Sequence, residues 1–199
     1  MPTVLKSLTL LAFSMTPLMA AGAEPVQKSD APATKTVAVG EQAPEFKIND
    51  AQGREINLAE LTAKGPVLVR LTCGCTGCDR ELAYFQELHK AYQGQGLTSV
   101  AIFRESDEKV AKYVEEKKLN MLYAVDPKGT SWAVFQTKSM PTNLLIDKGG
   151  KIVSVATGCD PSGLLAAKLG DKVAGLVHQE KVDIQAKAAN KAVQDKLSK

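Results

Sequence analysis

Three of the four cysteines in this chain fall within six positions of "TCGCTGCDREL", as Cys73, Cys75 and Cys78, and the fourth, Cys159, lies far downstream. Thiol chemistry runs through the thiolate, so the first question is what stabilises a negative charge there. The β-branched run "PVLVRLT" (66–72) stops at the cysteines and a helical pattern follows, which puts Cys75 at a strand-to-helix junction. Unpaired backbone N–H groups and the positive end of the helix dipole favour an anion at such a junction. Cys78 lies one turn further in. Residues three apart share a helix face, so it can reach back and close a disulfide without rearranging the backbone. Cys75 therefore reads as the attacking thiol and Cys78 as the resolving one. Four thiolates also suit zinc or Cu(I). The paired C-x-x-C knuckles of common zinc sites are missing, and His89 and His178 are remote in sequence, so we expect no metal and read both histidines as solvated.

Periodicity supplies the elements around these residues. Two short alternating runs, Phe46 to Ile48 and Glu55 to Leu58, flank Asp50-Ala51-Gln52-Gly53 and predict a β-hairpin. After the cysteines, Leu82, Phe85, Leu88 and Tyr92 recur at three- and four-residue intervals, predicting one amphipathic helix over "CDRELAYFQELHKAY". A buried strand (97–103) and a helix (107–119) follow. A short strand, a turn and a short helix holding Trp132 come next, then a hairpin turning at Gly149-Gly150 and a last helix from "SGLLAAKLGDKVAGLV". This order predicts a mixed sheet covered by helices.

The first residues, "MPTVLKSLTLLAFSMTPLMAAGAE", have a positive start at Lys6, an apolar stretch too short to span a bilayer comfortably, and an A-x-A site at Ala21-Gly22-Ala23. Residues 1–23 read as a secretory signal, with no cysteine ending the run to carry a lipid. Residues 24–37 read as a flexible leader, residues 38–176 as one domain, and 177–199 as a polar helical tail, a docking helix for a partner being the other reading. A net charge of +3 with interspersed signs gives no reason to expect nucleic acid. Export makes disulfides persistent, which favours redox roles for the cysteines. No stable membrane insertion is expected once the signal is cleaved.

"GREINLAELTAKGPVLVRL", "CTGC" with the following "EL", and "SMPTNLLIDKGGKIV" together resemble the thioredoxin-like redoxins, especially exported thiol–disulfide oxidoreductases of the TlpA type, over roughly residues 38–176. The resemblance implies an α/β thioredoxin-like fold, a mixed central sheet flanked by helices, with an N-terminal β-hairpin and the C-terminal helical tail. It implies a cis Pro141 facing Cys75, with Gly74, Met140, Thr142 and Gly158 around the place where an extended substrate docks. Glu81, three residues after Cys78, would transfer protons to or from Cys78, unless it is an ordinary exposed helix residue. Cys159 would lie near Cys75. Cys73 and Cys159 are then either partners in a disulfide relay or a structural bond to each other. The chain departs from the pattern in having Gly74 where relatives carry Trp, Thr76-Gly77 between the cysteines, and Val69-Arg70 where thioredoxins bury an Asp.

The implied function is exchange of disulfides with protein substrates, most simply as a reductase fed by a membrane thiol–disulfide carrier, with no cofactor beyond the redox-active disulfide. Thr72-Cys73-Gly74-Cys75-Thr76 also resembles the peroxiredoxin core, which implies an alternative peroxidase in which Thr72 orients peroxide at Cys75 and Arg70 or Arg80 substitutes for the missing arginine. A thiol-based copper chaperone and a non-catalytic redoxin module complete the alternatives.

Overall fold

The computed structural model describes residues 37–198, so residues 1–23, read as a secretory signal, and all but the last of residues 24–37, read as a leader, lie outside the described residues. The expected hairpin is β1 (Lys47–Asn49) against β2 (Glu55–Asn57), followed by α1 (Leu58–Lys64), whose first N–H groups are capped by Asn57. Strand β3 (Val67–Thr72) is buried along its whole length, as a central strand with both faces covered must be. It runs parallel to β4 (Thr98–Phe103), which runs parallel to β5 (Leu122–Val125). On its other side β3 is antiparallel to β6 (Thr142–Ile146), and β6 to β7 (Ile152–Thr157), giving the order β5-β4-β3-β6-β7. The β6–β7 turn needs positive φ at both Gly149 (112°) and Gly150 (93°), which glycine supplies without steric cost.

Alternation along β3 splits the core in two. Leu68 faces Phe85, Leu88 and Tyr92 of α3 (Leu82–Tyr92) and Leu169 and Val173 of α6 (Leu164–Leu176). Val67, Val69 and Leu71 face Phe46 and Ile56 of the hairpin region together with Trp132 and Phe135 around the short α5 (Thr130–Val134). Trp132 packs as expected and donates its indole N–H to the Ser139 carbonyl at 3.2 Å. Helix α4 (Asp107–Lys117) joins the α3 side through Val110.

Three sequence readings change. The helix expected to run unbroken from Cys78 to Tyr92 is two pieces, α2 (Thr76–Asp79) and α3, separated at Arg80-Glu81, because the Glu81 side chain turns into the core. His89 is buried: on α3 it shares a face with Phe85, four residues back, and its Nδ1 lies 3.1 Å from Ser99 Oγ. Burial holds its pKa below the ordinary 6.5. The segment read as a polar tail forms α7 (Ile184–Leu197), and its first turn belongs to the core: Ile184 is fully buried against α6, and the Tyr92 hydroxyl accepts the Val182 N–H at 2.9 Å. One large aliphatic residue at the right place outweighs a run of polar ones.

Candidate active site

Strand β3 ends at Thr72, and the chain turns through Cys73 and Gly74 before Cys75 caps the four-residue α2. So short a helix adds little dipole, and the Cys75 side chain makes no capping hydrogen bond; what the turn gives it is exposure. Cys75 is exposed, while Cys73 (9%) and Cys78 (3%) are buried. The three sulfurs lie within 4.8 Å of one another. Cys73 is disulfide-bonded to Cys75, and Cys78 Sγ stands 3.4 Å from Cys73 Sγ. The pairing differs from the Cys75–Cys78 bond that spacing suggested, because the extended turn folds Cys73 back over the same cluster. Nor do Cys73 and Cys159 bond: Cys159 is a free, exposed thiol whose Sγ donates to the Gly77 carbonyl at 2.6 Å. Its pKa is raised, by partial desolvation and then by the negative charges of Glu81 and Cys78, so the fourth cysteine does sit at this cluster.

Beneath the cysteines lies a buried ion pair. Arg70 (2% exposed) stands on β3 on the α3 side, with Nη2 2.7 Å from Oε1 of Glu81 (1% exposed). The same guanidinium donates to Asn143 Oδ1 at 3.1 Å and to the Cys78 carbonyl at 3.2 Å, and lies 4.2 Å from the centre of the Phe85 ring. Glu81 Oε2 accepts the Asp160 N–H at 2.9 Å, which ties the loop of Cys159 to the break between α2 and α3. The exposed-helix reading of Glu81 is thus excluded: Oε2 accepts a hydrogen bond, while Oε1 meets Arg70 as an ion pair and has no hydrogen-bond partner. Arg70 is equally committed, which removes it as a peroxide ligand. Thr72 is buried with its hydroxyl donating to the Cys73 carbonyl at 3.1 Å, so the group expected to orient peroxide already has a backbone partner.

A second anchor lies outside. Asp79 at the end of α2 accepts from the Tyr113 hydroxyl at 3.0 Å and pairs with Lys117 at 2.8 Å, both on α4. Burial first, then the Asp79 charge and its hydrogen bond, push the Tyr113 phenol well above its ordinary 10.0. The ring of Tyr113 comes so near Gly74 that a Cβ there would meet it at 3.2 Å, so Tyr113 fills the space a side chain before Cys75 would take. Gly74, Cys75, Phe103, Lys109, Tyr113 and Glu116 line a pocket of about 290 Å³.

The Met140–Pro141 peptide is cis, as the resemblance implied. Leu71 pairs with Thr142, so the next step along the ladder sets Thr72 beside Pro141, at the end of the sheet where the cysteines begin. Gly158 has φ 91° and donates its N–H to the Pro141 carbonyl at 2.9 Å. Of the expected docking residues, Met140 is 39% exposed and Gly74 and Gly158 are exposed. Thr142 is not available for docking: it is 1% exposed, and its hydroxyl is shared with Thr137 Oγ1 (2.9 Å) and the Ser139 carbonyl (3.0 Å), because β6 lies between two paired strands. Asp79, Tyr113, Lys117 and Asp160 were not recognised from the sequence as parts of this site, and Arg70 was named only as a substitute peroxide ligand, not as the partner of Glu81. Arg70 alone had a signal, a charge inside a strand-long apolar run, which demands a buried partner.

Residues 39–155 match the AhpC/TSA family. The thiol-disulfide oxidoreductase ResA of Geobacillus thermodenitrificans is 35% identical over 123 residues, 61% of this chain and 71% of that protein. ResA of Halalkalibacterium halodurans is 32% identical over 120 residues, 60% of this chain and 68% of its own. In fold, a thiol:disulfide interchange protein DsbE candidate from Chlorobium tepidum superposes with a TM-score of 0.64 at 22% identity, over 70% of this chain and 98% of the other. Peroxidoxin BcpB of Mycobacterium tuberculosis shares the fold at a TM-score of 0.57 and 24% identity, over 72% and 96% of the two chains. The chain belongs to the AhpC/TSA family, as a thioredoxin-like redoxin of the TlpA type, and is a thiol–disulfide oxidoreductase.

Proposed function

We propose that the protein is an exported reductase of protein disulfides, working in the periplasm or outside the cell after removal of residues 1–23. Among the described residues, no helix is long and apolar enough to cross a membrane. The observation that carries the reading is the position of Cys75, the exposed sulfur of the cluster, at the sheet end where cis Pro141 also lies. With the cluster reduced, the Cys75 thiolate attacks a substrate disulfide and displaces one substrate sulfur. Buried Cys78 then attacks Cys75 Sγ and releases the second. Two protein thiols become a disulfide, and the substrate takes up two electrons and two protons. A membrane thiol–disulfide carrier returns the electrons. Arg70 and Glu81 serve as positioning residues that hold Cys78 under Cys75, and Glu81, whose Oε1 is ion-paired but has no hydrogen-bond partner, moves protons to and from Cys78.

The test is the rate at which fully reduced protein lacking residues 1–23 loses thiols to a disulfide-bonded peptide and, separately, to hydrogen peroxide, with Cys75→Ser as control. Fast loss to the peptide and slow loss to peroxide is expected. Fast loss to peroxide would overturn the reading in favour of a peroxidase.

A further inference from the structure

We propose that Cys73 is a third redox cysteine: its thiolate takes Cys75 from the Cys75–Cys78 bond that exchange leaves, Cys78 departing as a thiolate, and the resulting Cys73–Cys75 bond then moves on to Cys73–Cys78 and so frees Cys75. The inference rests on the reading of Cys75 as the attacking thiol, and gives the oxidised protein an activity of its own.

The geometry supplies each part. Cys73 is bonded to Cys75 while the free thiol of Cys78 stands 3.4 Å from the Cys73 sulfur. Reacting atoms about 3–3.5 Å apart are at near-attack distance; with all three sulfurs within 4.8 Å of one another they are bent at Cys73, so exposed Cys75 swings outward to bring them into line for displacement. Cys73 and Cys78 are both buried and Cys75 is exposed, so the move carries the bond inward and leaves the thiol at the surface. Arg70 fixes the backbone of Cys78 through its carbonyl, which keeps that sulfur at Cys73.

In the second step, the Cys78 thiolate attacks Cys73 Sγ. A Cys73–Cys78 bond forms as the Cys73–Cys75 bond breaks, and Cys75 departs with the electron pair as a thiolate. The proton given up by Cys78 passes to water, and Cys75 takes one from water in proportion to its own basicity. No electrons enter or leave. The product holds one disulfide and one surface thiolate, so it attacks a substrate disulfide without first being reduced. No resolving thiol remains in the protein, so the mixed disulfide is released by a substrate thiol. The net result is rearrangement of substrate disulfides with no electron donor.

The decisive measurement uses Cys159→Ser protein lacking residues 1–23, oxidised to a single intramolecular disulfide. It is alkylated with N-ethylmaleimide under native conditions, quenched in acid and mapped by fragmentation of the peptide containing residues 71–80. The expected product carries the alkyl group on Cys75 with Cys73 bonded to Cys78. Alkylation of Cys78 with Cys73–Cys75 intact, alkylation of Cys73 with Cys75–Cys78 bonded, or no alkylation would each overturn the proposal. In parallel, the oxidised wild type should rearrange a mispaired two-disulfide peptide with no reductant present, and Cys73→Ser should slow this at least tenfold; equal rates would overturn it. Reduction of the simple peptide disulfide by fully reduced wild type reports the reductase reading separately, so a failure of either is recognised as its own.

Discussion

Two anchors hold the short cysteine turn, and they differ in every respect that sets their strength. The inner one, Arg70–Glu81, is dry, bound on both partners by further hydrogen bonds, and joins β3 to the start of α3 and to the loop of Cys159. The outer one, Asp79 with Tyr113 and Lys117, stands at the surface, its Lys117 and Asp79 side chains 38% and 29% exposed. A buried pair contributes little net stability for its presence but costs much if broken, whereas an exposed pair is worth little either way. The turn is thus fixed from below and only steadied from the side, which leaves Cys75 room to move while Cys73 and Cys78 stay in register.

The largest effect should come from breaking the inner anchor. Arg70→Leu strands Glu81 as a buried unpaired carboxylate and should lower stability by about 3–5 kcal/mol in denaturant unfolding. Adding Glu81→Leu to it should recover most of that loss, since an apolar pair of similar volume removes the stranded charge; a double variant as unstable as the single would show that Glu81 matters through its bond to Asp160. The outer anchor should yield less. Tyr113→Phe deletes one hydrogen bond to Asp79 and should cost about 1–2 kcal/mol. Because the folded phenol pKa is raised, the contribution is complete below the ordinary 10.0 and declines only as pH climbs through the higher folded value. The Tyr113→Phe cost should therefore be the same at pH 7 and pH 9, and an earlier decline would mean the phenol is more exposed than the structure has it. Smaller again is Lys117→Ala, about 0.5 kcal/mol at low salt and less at 1 M, where screening acts within a few ångströms. Last comes reactivity rather than stability: in reduced protein the alkylation of Cys159 should rise with a midpoint above its ordinary 9.0, reflecting partial desolvation and the nearby Glu81 and Cys78. A midpoint below 9.0 would detach Cys159 from the cluster.

Much of the frame was legible because its signals are local. Alternation gave the two hairpins, a β-branched run gave β3, and the 3–4 spacing of Leu82, Phe85, Leu88 and Tyr92 gave α3. The cis Pro141 came through resemblance and not from any local pattern. What escaped depends on contacts between elements. Glu81 was singled out through resemblance alone, with an exposed helix residue as the other reading, because its partner lies on a strand eleven positions earlier and the break that turns it inward leaves no mark in the spacing. His89 shares the face of Phe85, so its burial was there to be read from the same periodicity; its polarity argued against it until Ser99 supplied the partner. The bond between Cys73 and Cys75 follows from how the loop folds back after β3, which spacing alone does not determine.

The burial of Ile184 also sets how far the chain can be trimmed. From Ala189 to Ser198 every described side chain is exposed, so a stop codon after Ala188 should leave a protein that folds and purifies like its parent. Cutting five residues earlier, after Asp183, would uncover the floor of α6 at Gly170, where the Ile184 side chain rests 3.1 Å from the place a methyl would occupy. Any shortened version made for crystallisation, tethering or fusion therefore has its limit at that isoleucine, well inside a segment whose composition looks dispensable.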